Sequence, residues 1–182
     1  HEITLLTGHA AAEQKVRQSL GTHQVVHFAT HGILIDDNPF DSFLALGSQP
    51  GGESGDGRLT VREIYDLKLA DSLIVMSACR SAAGPVTGDG VAGLARAFFY
   101  AGASTLVATL WDVADEPTSW LVTRFYHHLL KGAAPGLALH NAQLEMLSML
   151  RRGQIATSTP VGQIVLPEDP AYWAGFVIMG RS

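Results

Sequence analysis

Two residues of this chain could act together on an electrophile. Cys79, the only cysteine in 182 residues, follows a short apolar run, L-I-V-M-S at 73–77. His31 follows a second such run, V-V-H-F-A at 25–29, and is followed in turn by Gly32. The thiolate is the attacking form of cysteine, and a neighbouring imidazolium lowers the thiol pKa. A cysteine nucleophile with a histidine base is therefore the chemistry on offer, although 48 residues separate the two. The backbone N–H groups of Gly32 and Cys79 are candidates to hold the oxyanion of a tetrahedral intermediate. Gly32, lacking a Cβ, lets the backbone come close to a substrate.

Blander readings compete. A lone cysteine at a strand end is most often a small buried hydrophobe. His27 precedes His31 by four, so on a strand both would point the same way. It stands inside the apolar run and reads as a core histidine with a satisfied ring. A metal held by His27, His31 and Cys79 has no support from H-E-x-x-H or C-x-x-C spacing, and no cofactor is expected. G-D-G-V-A-G at 88–93 fits G-x-G-x-x-G, and Asp112 lies 22 residues beyond Gly90, where a ribose-binding acid would sit. In a dinucleotide site, however, the glycines form the turn directly after the strand. Here about ten residues, Cys79 among them, intervene. These glycines read instead as a loop folding back over the cysteine and as close packing of a helix on the sheet.

The elements that must position His31 and Cys79 alternate in type. Both apolar runs have the length and bounds of buried parallel strands, and ligands bind beyond the carboxyl ends of such strands. If the two are parallel neighbours, His31 and Cys79 emerge on one edge. Further strands are expected at 2–6, 43–46, 105–110 and 176–179. Helices are expected at 10–20, 61–67, 91–101, from Asp115 or Glu116 to Gly132, and at 135–151. Thr60 with Glu63 has capping-box spacing. Val91, Leu94, Ala95, Phe98 and Phe99 form a stripe on the third helix, and Leu121, Val122, Phe125, Leu129 and Leu130 one on the fourth. Residues 47–57, with five glycines, read as a mobile segment or tolerated insertion. Residues 153–170 read as irregular. The economical architecture is a mostly parallel sheet with helices on both faces.

H-F-A-T-H-G at 27–32 and S-A-C at 77–79 resemble the paired signatures of CHAT domains, caspase-like cysteine peptidases usually attached to TPR repeats. The likeness continues through G-D-G-V-A-G-L-A-R-A-F-F-Y-A-G-A at 88–103, T-L-W-D-V-A-D-E-P-T at 109–118, F-Y-H-H-L-L at 125–130, A-L-H-N-A-Q at 138–143 and Y-W-A-G-F-V-I-M-G at 172–180. It implies a caspase-like three-layer α/β sandwich with a catalytic dyad of His31 and Cys79. It also implies a cysteine endopeptidase acting on protein or peptide substrates, regulated by attached repeats. The family commonly continues S-A-C-E-T-G, whereas Arg80, Ser81 and two alanines follow Cys79 here, which leaves the dyad intact and bears on substrate preference. The stretch at 110–115 is similar to one in separase, a relative whose aspartate recognises a basic side chain before the cut bond. Asp115 is the first candidate for that role and Asp112 the second. A carboxylate can take a guanidinium in a fork. Asp115 could equally cap the helix that follows. A catalytically silent scaffold is the other reading the family allows.

Composition sets the frame. Hydrophobic residues make up 47% and charged residues 16%, which describes a compact globular chain. The formal charge of −5 argues against a nucleic-acid footprint. No apolar run approaches the ~20 residues that span a bilayer, so no membrane partner is expected. A lone cysteine excludes an internal disulfide and fits a reducing, cytoplasmic setting. The first residue is His1 rather than Met, so residues 1–182 are expected to be a single domain excised from a longer protein.

Overall fold

The computed structural model describes residues 3–35, 37–48, 55–77, 89–111, 113–160 and 162–181. The chain forms two compact units, residues 1–106 and 107–182. Cys79, Asp112 and residues 49–54 of the glycine-rich segment lie outside the described residues.

In the first unit, α1 (Glu13–Leu20) leads into β1 (Val25–Phe28). A small antiparallel sheet follows, in which β3 (Phe43–Ala45) lies between β2 (Gly32–Ile33) and β4 (Arg58–Thr60). Then come α2 (Val61–Tyr65), β5 (Ser72–Met76), α3 (Asp89–Tyr100) and β6 (Ala103–Thr109), whose last residues belong to the second unit. The central sheet is mostly parallel, and β5 lies between β1 and β6. All five β5 residues are buried, as the apolar run at 73–76 requires when both sheet faces are covered. β1 and β5 run parallel, with Val25 opposite Leu73 and Phe28 opposite Met76.

Helix α3 closes this core. Leu94, Ala95, Ala97, Phe98 and Ala101 are buried, and the Phe98 ring meets Phe28 of β1 at 5.7 Å between centroids. The expected capping box is formed: Glu63 N–H donates to Thr60 Oγ1 at 3.3 Å, and Thr60 N–H donates to Glu63 Oε2 at 2.8 Å. Gly90 and Gly93 fall inside α3, and a Cβ at Gly93 would meet nothing within 4 Å. Gly93 thus does not serve close helix packing, contrary to the expectation from its motif.

In the second unit, α4 (Asp115–Leu130) packs against α5 (Pro135–Arg151). A two-stranded antiparallel ribbon of β7 (Ala156–Thr159) and β8 (Gly162–Val165) follows, then α6 (Pro170–Trp173) and β9 (Phe176–Gly180), which neighbours β6. Leu121 and Phe125 are buried as the stripe on α4 requires, but Leu130 is 75% exposed.

Four expectations need correction. Residues 3–6 form no strand; Ile3 and Leu5, which alternate as strand residues would, are both exposed. The first helix starts at Glu13, with a 3-10 turn over Gly8–Ala11 before it. The region 153–170 contains the β7–β8 ribbon. His27 is exposed rather than in the core, because β1 is the last strand of the sheet.

Candidate active site

β1 carries its chain toward His31, and β5 carries its own toward position 79, in the same direction. The last described residue on the β5 side is Ser77, whose N–H donates to Phe28 O at 3.0 Å. The strands therefore stay paired as far as Ser77. His27 Nε2 and Ser77 Oγ are hydrogen-bonded at 2.8 Å across this rim. The His27 ring keeps contact with solvent, yet surrounding protein desolvates it enough to hold its pKa below the usual histidine value. Residue order offers little notice of this pair, since it depends on which side of β5 Ser77 faces.

His31 lies three residues beyond the end of β1. Its carbonyl accepts from Ala45 N at 2.8 Å, and the Thr30 hydroxyl donates to Ala45 O. These bonds turn the chain out of the central sheet and into β2. Gly32 is buried at that turn, opposite Leu44. The His31 imidazole is exposed and makes no hydrogen bond or ion pair among the described residues.

A cleft of about 740 Å³ borders these residues. The stretch from Val25 to His31 lines one side, and residues of α1 and of the Thr4–His9 and Ala45–Ser48 stretches line others. Among the described residues no three His, Cys, Asp or Glu side chains converge as a metal site.

The other candidates lie in the second unit. Asp115 is the first residue of α4 and is exposed. Ala114 takes the N-cap position and makes no side-chain cap, so Asp115 is not the capping residue. Its carboxylate has no partner among the described residues. Glu116, one residue on, is committed: its Oε2 accepts from Ser158 N at 2.9 Å and ties the β7–β8 ribbon to the start of α4. Hydrogen bonds from Thr157 and Ser158 hold the Glu116 carboxyl below its usual range.

The model of the CHAT domain family matches residues 1–181. The chain belongs to the CHAT family. CHAT domains fall within the caspase-like cysteine peptidase superfamily. Tetratricopeptide repeat protein 28 of Homo sapiens and its counterpart in Mus musculus are each 27% identical to this CHAT domain over 207 residues. Those alignments cover 97% of this chain and 8% of either relative, so the CHAT domain spans a small part of the proteins it matches. No helix among the described residues is long and apolar enough to cross a membrane.

Proposed function

We propose that this CHAT domain is a cysteine endopeptidase with His31 and Cys79 as its dyad. The observation that carries the reading is the register of β1 on β5. Partners from Val25↔Leu73 to Phe28↔Met76 all differ by 48 positions, the interval that separates His31 from Cys79. That shared interval supports the reading that the two residues meet at one rim.

His31 takes the thiol proton, and the thiolate attacks the scissile carbonyl to form the S–C bond. Backbone N–H groups of Gly32 and Cys79 hold the oxyanion. The C–N bond then breaks as His31 protonates the leaving amine. Water, deprotonated by the same imidazole, hydrolyses the acyl-cysteine and restores the thiol. An imidazole with no committed partner and a cleft beside it suit this proton traffic. Asp115, with Asp112 as second choice, favours a basic side chain before the cut bond. The repeats that give the relatives their name support a further part of the proposal, that attached repeats regulate the domain.

The test is cleavage of fluorogenic arginyl peptides. Cys79→Ala and His31→Ala should each lower turnover by ~10³-fold or more. Iodoacetamide should label Cys79 faster than an ordinary exposed thiol, and a chelator should change nothing. Cleavage that survives Cys79→Ala would end the reading. An isolated domain that is inert is next assayed joined to its repeats; inertness there would leave the scaffold reading.

A further inference from the structure

Within the first unit, the middle strand of the small sheet, β3, sets what lies beside His31. Leu44 of β3 pairs with Gly32 of β2 and with Leu59 of β4, and both leucines are fully buried. The next position along β3 is Ala45. Its N–H donates to His31 O at 2.8 Å, which carries the β2 register one residue back, and its partner on β4 is Arg58. Residues opposite each other in a sheet share a face, and successive residues of a strand alternate between faces. His31, Ala45 and Arg58 therefore form a row on the open face, away from the leucines. His31 and Arg58 are exposed, and the half-buried Ala45 puts only a methyl group between them. The row spans two strand spacings, about 10 Å. The cleft beside His31 is lined by Ala45 as well.

Arg58 is positioned but not neutralised. Its guanidinium carbon lies over the Phe43 ring, 4.9 Å from the centroid. Arg62, in the same unit, shows such an arginine with its partner in place. It lies over Phe40 at 5.4 Å, and its Nε–H donates to Asp41 Oδ1 at 3.0 Å. Arg58 has the ring but, among the described residues, no carboxylate on its guanidinium. Asp56, two residues before it, accepts from the Arg58 backbone N–H at 2.9 Å instead. A guanidinium with its face on a ring keeps its N–H edge available, and that edge forks onto a carboxylate.

We infer that Arg58 reads an acidic side chain of the substrate, an aspartate or glutamate about two to three residues from the cut bond. That separation is the ~10 Å row divided by the ~3.3 Å rise of an extended chain. The inference rests on the peptidase reading above and deepens it: His31 sets where the cut bond lies, and Arg58 selects among the peptides that reach it. A guanidinium already stacked in the free protein loses little freedom when the carboxylate arrives, so the ion pair is not offset by ordering.

Internally quenched peptides with arginine before the cut bond provide the test, their ends amidated so that no terminal carboxylate competes. Glutamate and glutamine are exchanged at each neighbouring position in turn. Wild type should favour glutamate in kcat/KM by about tenfold at one position about two to three residues from the bond. Arg58→Gln should collapse that ratio, and Arg58→Glu should reverse it so that lysine is favoured there. Arg58→Lys, which keeps the charge without the fork, should retain part of it. The urea unfolding midpoint shows whether each variant is folded, and the wild-type scan stands whether or not it is. Absence of a glutamate preference at every position, or a ratio unchanged in a folded Arg58→Gln, overturns the inference and leaves the peptidase reading standing. A wild type that cleaves no peptide faster than Cys79→Ala does overturns both.

Discussion

Replacing Gly102 with alanine should cost more than the same change at Gly132, and the structure supplies the difference. Both glycines follow helices at positive φ, +107° and +88°. An L-residue in such a conformation costs about 1–2 kcal/mol. At Gly132 a new Cβ would meet nothing within 4 Å, so that cost stands alone. At Gly102 the Cβ would lie 2.3 Å from Leu69 O, a backbone atom. Relief requires opening the contact by close to 1 Å, to about 3.3 Å. Leu69 cannot move alone, because three hydrogen bonds clamp its loop: Leu69 N to Ala101 O at 2.7 Å, Asp71 N to Gly102 O at 3.1 Å, and Ser104 Oγ to Asp71 O at 3.0 Å. Losing one or two adds about 1 kcal/mol each. Gly102→Ala should therefore cost about 2–4 kcal/mol and Gly132→Ala about 1–2. Urea unfolding followed by far-UV circular dichroism measures both, with unchanged slopes showing that the denatured states are comparable. Trp111, Trp120 and Trp173 all fall in the second unit, so fluorescence adds a separate reading of the region that holds Gly132. Equal losses at the two positions would refute the steric reasoning.

Glu13 is buried on α1, with Arg17 3.3 Å away and the Arg17 guanidinium also 3.1 Å from Glu63. Burial first, then the Glu63 carboxylate, pushes the Glu13 carboxyl above its usual 4.5. The fold favours its neutral form, so this stability is full below 4.5 and is lost as pH rises through the raised value. Glu13→Gln copies the neutral form, and its unfolding midpoint should match wild type near pH 4 and exceed it at pH 7; a lower midpoint at pH 7 would contradict this. Glu116→Gln should speed amide exchange at Ser158 at neutral pH, with no change at the α5 amides, and unchanged exchange would show that the ribbon is held otherwise. His31→Ala should abolish turnover with little change in unfolding midpoint. His27→Ala, which strips the hydrogen bond from Ser77, should lower stability by about 0.5–1.5 kcal/mol. Loss of stability at His31 instead would mean that its ring has a structural partner.

Some of this was legible in the sequence because the relevant physics is local. L-I-V-M at 73–76 of β5 is an unbroken apolar run and is buried, which one run of letters can announce. Thr60 and Glu63 form their capping box because both partners lie within one turn. What was not legible depends on neighbours. Residues 3–6 alternate like a strand, but a strand also needs a partner, and none pairs with them among the described residues. The β8 residues Gly162–Val165 are all exposed, so no pattern of burial marks the ribbon. Leu130 continues the stripe on paper, yet at the last position of α4 it finds no core to enter. The short helix α6 did leave a signal, Asp169 before Pro170, an N-cap with proline in the first turn.

His27 and His31 show where periodicity stops being informative. Four residues apart on a strand they would share a side, and their letters alone assign neither a role. The fold separates them by ending β1 at Phe28: His27 stays in the sheet and binds Ser77, while His31 falls past the last pairing and keeps an uncommitted ring. A general base must exchange protons with a substrate, so hydrogen bonds that saturate it in the resting fold would have to break in each turnover. On that ground the histidine with fewer contacts is the better candidate for the proposed base. The one with more is better suited to hold the β1 and β5 ends together, where register decides what meets beyond them.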